Sequence, residues 1–438
     1  MMDTSSPIAA GLLAIALAAG GADDLPGNAL EQAAIDALAE FGKACETADA
    51  AWPVPLCGRL VLIDPQSRIA VATHPDPAQG FRRANGAYVG HWPEGRMVAN
   101  TGFDWDGERW AMAMLPLSQD AFHRLRLLAH ESFHRIQPEL GLSIEDPAAV
   151  HLDELEGRLW LRMELRALAQ ALESEGDAAS ASVHDALMFR AWRQSRFDPA
   201  AESETRLEAN EGLAEYAGMR FALDATGEPV TRAAEFTRAF QKRESYVRAL
   251  GYGTGPALGL LLDRYSPGWR MVLPAAPALA DSLAEALGVA VATPSEAPAA
   301  RAARYGYTAV LAEEQARAKE RDAMLARYRA RLVEGPVLEV PGTADLKYGF
   351  DPNAVVPLRD HGTVFPMAFF EDAWGRMHVA KGGVLMSNER DRLRVAAPPG
   401  PVRNEEARLE GPDWILELAP GWKIAPGPRE GDYRIVPD

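Results

Sequence analysis

The residues best equipped for chemistry lie in Leu127-Leu128-Ala129-His130-Glu131-Ser132-Phe133-His134-Arg135-Ile136, which carries the pattern H-E-x-x-H. On a helix, residues four apart share a face, so His130 and His134 can set two imidazole nitrogens on one metal ion, with Glu131 beside them as a base. Two histidines do not complete the tetrahedral set that zinc takes. A third protein ligand is required elsewhere, and a fourth position stays open to water.

Candidates for that ligand stand in Glu208-Ala209-Asn210-Glu211-Gly212-Leu213-Ala214-Glu215-Tyr216. Helical spacing puts Glu208, Glu211 and Glu215 on one face, beside Leu207 and Ala214, and acids turned toward a core are costly unless a cation receives them. Spacing alone does not choose among the three.

Together, H-E-x-x-H and Asn210-Glu211-Gly212 resemble the gluzincin metallopeptidases, the group that includes thermolysin and the zinc aminopeptidases. The resemblance implies one Zn2+ held by His130, His134 and Glu211, with Glu215 orienting one histidine through its other ring nitrogen. It implies hydrolysis of peptide bonds by metal-activated water, Glu131 acting as general base. Asn100 and the strand near Trp110 to Met114 take the place of the substrate edge strand, to which an extended peptide adds. Tyr252, in Tyr252-Gly253-Thr254-Gly255, matches a Tyr-x-x-Gly segment whose hydroxyl supports the oxyanion, with Tyr246 as a rival. His151 and His184 read as surface or capping groups.

The chain departs from those families in two ways. The spacer between His134 and Glu211 is long and holds two predicted helices, and the Gly-x-Met-x-Asn signature of the aminopeptidases is absent. The resemblance covers the stretch from Asn100 to Tyr265. A different class of protein, one that retains zinc and holds a peptide or scaffold partner without turning it over, is the alternative. Such a protein has no need of a base at Glu131. Other chemistries lack their residues: there is no Gly-x-Ser-x-Gly elbow, Walker loop or C-x-x-C pair.

The elements that must position these groups suggest an α+β chain. With 438 residues and 47% hydrophobic composition the chain can bury more than one core. Residues 23–117 read as a helix followed by a small sheet, in which Asp106-Gly107 is a hairpin turn. Residues 118–335 read as the H-E-x-x-H helix, N-capped by Ser118, followed by a helical bundle. From 336 to 438, short runs such as Thr363 to Phe370 and Trp414 to Leu418 read as a separate all-β domain.

Partners and location follow from charge and from the N-terminus. A formal charge of −17 argues against nucleic acid, which needs clustered Lys and Arg, and the resemblance implies a peptide or protein substrate. Residues 1–22 contain an apolar run, Ile8 to Ala19, too short to span a bilayer and signal-like, although no basic residue precedes it. Cys45 and Cys57, the only cysteines, fit a disulfide in an oxidising compartment. A periplasmic or secreted protein with no integral membrane span is expected.

Overall fold

The computed structural model describes residues 27–48, 52–274, 277–351, 354–400 and 407–438. The stretch read as an export signal lies outside the described residues. The protein is α+β: a region of one sheet and many helices, and a separate C-terminal region of sheets. The chain divides into two compact units between Glu314 and Gln315, inside a long helix, while the C-terminal strands begin at Val337.

In the first unit, helix α1 (Gly27–Ala48) precedes six strands: β1 (Leu60–Ile63), β2 (Ile69–Ala72), β3 (Arg82–Ala84), β4 (Ala87–His91), β5 (Thr101–Trp105) and β6 (Glu108–Met114). They assemble in the order β3-β4-β2-β1-β6-β5, antiparallel except for the β1–β6 pair. Strand β1 is apolar at every position because both its faces are covered. Leu60 and Leu62 enter the main core with the helices, whereas Val61 and Ile63 join a second cluster built on Trp92, Trp105 and Trp110.

The turn at Asp106-Gly107 has positive φ at both residues, 53° and 82°, the twist that a two-residue hairpin requires. It closes β5 onto β6, so β6 is an interior strand and β5 is the edge. The expected edge role of the strand from Trp110 to Met114 is thereby corrected. Asn100 sits just before β5, and its Oδ1 accepts the Met114 N–H at 2.8 Å, which ties its side chain to the sheet.

Helix α2 (Ala121–Ile136) carries the H-E-x-x-H pattern. Its cap is Asp120, whose carboxylate accepts the His123 N–H at 2.9 Å; Ser118 instead accepts the Asp120 N–H at 3.2 Å. The helix starts two residues later than Ser118 would have set it. Beyond it come α3 (Leu155–Glu173), α4 (Gly176–Ser195), α5 (Ala200–Leu207), α6 (Leu213–Thr226), α7 (Thr231–Phe240) and α8 (Leu250–Tyr265). Between α5 and α6, Glu208–Gly212 forms a π-helical turn rather than a continuation of the α-helix.

The disulfide expected from composition is present: Cys45 at the end of α1 joins Cys57. The segment it closes brings Trp52 against Phe133 of α2, with ring centroids 4.8 Å apart. Arg135 of α2 donates to the carbonyl of Pro55 at 2.7 Å.

The second unit contains a seven-stranded and a five-stranded sheet. Leu338 and Val340 from the first share one core with Phe370, Met377 and Leu416 from the second. Alternation along Trp414–Leu418, buried then exposed, shows each strand giving one face to that core. Among the described residues no helix is long and apolar enough to cross a membrane.

Candidate metal centre

Helix α2 is buried on nearly every side, so its polar residues face protein rather than water: His130, Glu131 and Ser132 are all buried. Two glycines bring its neighbours close. A Cβ at Gly218 of α6 would stand 2.4 Å from the Arg126 carbonyl oxygen, and one at Gly102 of β5 would stand 2.6 Å from that of His134. Any side chain at either place would push α6 or the edge strand away from the histidines.

Three lone-pair atoms converge where α2 meets the π turn. Nε2 of His130 lies 3.1 Å from Nε2 of His134, and Oε2 of Glu211 lies 3.5 Å and 3.4 Å from them. Ligands at zinc distances in a tetrahedral arrangement are separated by about 3.3 to 3.5 Å, so the triangle already has the size of one face of that polyhedron. Glu211 Oε2 is buried and accepts no hydrogen bond of good geometry. Glu131 stands within 4.8 Å of the two histidines, with its own buried Oε2 also unpartnered.

The outer nitrogens of both rings are committed. Nδ1 of His130 lies 2.9 Å from Oε2 of Glu215, whose other oxygen takes Arg126. Nδ1 of His134 lies 2.8 Å from Oε1 of Gln137, and the Gln137 amide group donates to the Ser143 carbonyl at 2.9 Å, which fixes its orientation. Each imidazole therefore donates from Nδ1 and turns Nε2 inward, the nitrogen that a cation would take. Two ring nitrogens and a carboxylate oxygen gathered at one point could receive a cation.

Charge within the cluster tells the same story. Burial works against a charge on His134, yet the Glu211 carboxylate opposite overrides it and holds that imidazole up to about 9. Burial likewise disfavours the Glu211 carboxylate, and His134 overrides it, holding the carboxyl well below its ordinary range. His130, with less help from Glu211, is pushed by burial down to about 4. Burial raises Glu131 to about 8.

No family model, curated protein or solved structure matches this chain. Function has to be read from these residues themselves.

The other sequence candidates separate clearly. Tyr252 lies face to face with His130, ring centroids 5.6 Å apart and 8° from parallel, and burial followed by the Glu211 charge raises its hydroxyl well above the ordinary range. The hydroxyl of Tyr246 donates to the Gln241 carbonyl at 2.6 Å, away from the cluster. His151 is drawn to Glu204 at 2.7 Å, and His184 stays half-buried on α4.

The expectation that Glu208, Glu211 and Glu215 share one face fails at the π turn. Over its wider turn each residue advances about 80° instead of the 100° of an α-helix, so Glu208 and Glu211 diverge. Glu208 is taken by Arg190 and by Thr254, whose hydroxyl donates to it at 2.6 Å. Of the three, Glu211 reaches Nε2 of both imidazoles, while Glu215, one α-turn on, reaches Nδ1 of His130 from behind.

Gly251, Gly253 and Gly255 lie within α8. A Cβ at Gly255 would stand 2.3 Å from Cα of Gly212, and one at Gly251 would stand 2.6 Å from the Leu207 carbonyl oxygen. Gly251 and Gly255 let α8 lie backbone to backbone against the π turn, and so carry Tyr252 to His130. Gln137 and Arg126 are absent from the sequence reading although the signal was there. They lie three residues after His134 and four before His130, the spacings at which helical side chains meet.

Proposed function

We propose that the chain is a zinc-dependent peptidase with a gluzincin-type site. The observation that carries this reading is the convergence of Nε2 of His130, Nε2 of His134 and Oε2 of Glu211 beside a buried carboxylate, Glu131. His130, His134 and Glu211 would hold the ion. A zinc ion so held brings a water molecule to near-neutral pKa and polarises a carbonyl group.

The chain's own residues supply the rest. Glu131, on the turn between the two histidines, takes the water proton and passes it to the departing amine. Tyr252, stacked on His130, donates its hydroxyl to the carbonyl oxygen as negative charge develops there. Strand β5 ends the sheet beside the His134 end of α2, which suits an extended peptide adding to that edge. The Cys45–Cys57 disulfide supports a periplasmic or secreted location.

Metal analysis and a peptide library test the reading together. Wild-type protein is expected to carry one zinc and to cleave, whereas Glu131→Gln keeps the zinc and loses turnover by about 10²- to 10⁴-fold. A wild type that holds zinc and binds peptides but cleaves none would instead be a peptide-binding or scaffold protein. Retention of stoichiometric zinc by both His130→Ala and Glu211→Ala would remove the ligand set.

A further inference from the structure

The residue that opens the π turn sits in a buried ion network that the proposed chemistry does not use. Arg193 donates to both oxygens of Glu204, each at 2.7 Å, and to Glu164 at 2.6 Å. Arg190 donates to Glu164 at 2.8 Å and grips Glu208 with two nitrogens, one of them at 2.9 Å. Gln194 and His151 complete the bonding of Glu204, at 2.8 Å and 2.7 Å. Arg193 and Glu204 are fully shielded from solvent, and Glu164 and Glu208 nearly so.

Three carboxylates and two guanidiniums in an apolar bundle are a poor way to gain stability, because desolvation cancels most of their attraction. Their geometry favours a positional role. A π turn has weaker internal hydrogen bonding than an α-helix and depends on its surroundings. Here both ends are fixed: Glu208 by the two-pronged Arg190 contact and by Thr254 of α8, and Gly212 by backbone contact with Gly255 of the same helix. Glu211 lies between the two anchors.

We infer that Glu208, held by Arg190 and Thr254, is a positioning residue that keeps the π turn wound so that Glu211 reaches the two imidazoles. The inference rests on reading the cluster as a zinc site. Arg190 and Glu208 touch neither the ion nor the substrate; they act through the backbone of the turn.

The test compares two buried ion pairs of the same unit. Glu208→Gln removes the charge that Arg190 grips, and Glu314→Gln does the same to the pair that Arg158 and Arg162 make with Glu314, at 2.7 Å and 2.8 Å. Zinc affinity is measured by competition with a chromophoric chelator, and the ligand field by the visible spectrum of the Co2+-substituted protein. Glu208→Gln is expected to weaken zinc by about 10- to 100-fold and to change the cobalt spectrum, with Glu314→Gln matching the wild type in both. Equal zinc affinity in folded Glu208→Gln and wild type would overturn the inference, as would an equal loss in Glu314→Gln. Where Glu208→Gln yields no folded protein, Thr254→Val removes the hydroxyl that bonds Glu208 and, within α8, the Leu250 carbonyl, and is expected to weaken zinc about two- to tenfold, no change again overturning the inference. Absence of zinc from the wild type overturns the zinc reading itself, and this inference with it.

Discussion

The imidazole of His130 is held from behind by Glu215, Nδ1 to Oε2 at 2.9 Å, and Glu215 is held in turn by Arg126 one helical turn earlier on the histidine's own helix. All three are buried, so the chain from guanidinium to carboxylate to imidazole is sealed from solvent. Replacing Glu215 by Gln keeps the shape and removes the charge that makes the imidazole a stronger ligand. Zinc affinity is expected to fall by about 10- to 100-fold, read by chelator competition, with the zinc stoichiometry of the saturated protein unchanged.

Tyr252 and Tyr246 offer a paired test. If the proposed function holds, Tyr252→Phe removes the donor to the reacting carbonyl and is expected to lower kcat by about 10²- to 10³-fold with little change in KM or zinc content. Tyr246→Phe loses the bond to the Gln241 carbonyl, which lies away from the two histidines. Its expected effect is about 1 kcal/mol of stability, with kcat preserved. A reversed pattern would pass the catalytic role from Tyr252 to Tyr246.

The Cys45–Cys57 disulfide spans 12 residues in sequence, and closing so short a loop in the unfolded chain corresponds to about 3 kcal/mol. Cys45→Ser is expected to lower stability by about that amount in a denaturant titration. Because the loop packs Trp52 on Phe133, the loss should be accompanied by a change in tryptophan fluorescence.

Acid should loosen the helical unit through Glu204. Burial disfavours its carboxylate, but Arg193 overrides burial and holds the carboxyl far below its ordinary value of 4.5. A depressed folded-state pKa means that the stabilisation is complete above the unfolded value and drains away as pH falls below it. Melting temperature is expected to decline from about pH 4.5 downward. In Glu204→Gln the decline should be shallower from a lower starting stability; an unchanged slope would show that Glu204 is not the group responsible.

Gly255→Ala places a methyl group against Cα and the carbonyl oxygen of Gly212, both at 2.3 Å, where backbone has nowhere to go. The expected cost is about 1 to 3 kcal/mol, together with weaker zinc binding as the turn carrying Glu211 shifts. Gly42→Ala, at a position with open space around it, is the matched control and should do neither.

How much of this was legible in the sequence depends on the range over which each feature is determined. The helix bearing His130 and His134 was legible because its apolar stripe, Phe122, Leu125, Ala129, Phe133 and Ile136, is a local pattern, and all five are buried. The C-terminal strands announced themselves as short apolar runs between Gly, Pro and Asp. Met97 to Asn100 also has the composition of a strand, yet it runs as a loop whose Met97 carbonyl accepts the Trp92 indole N–H at 3.1 Å, and the edge strand starts one residue later. The π turn was illegible for a deeper reason. Nothing within Glu208–Gly212 distinguishes it from α-helix, since the groups that set it, Arg190, Thr254 and Gly255, lie far along the chain.

That turn exposes the site to a kind of damage that no substitution scan would sample. A π turn in an α-helix is equivalent to one inserted residue. Deleting Ala209 would mend the helix into a smoother and locally more regular one. Every motif letter used to recognise the site would survive in the written sequence. The carboxylate would nonetheless be aimed elsewhere, so a relative lacking that one residue could match every signature and still have no metal centre.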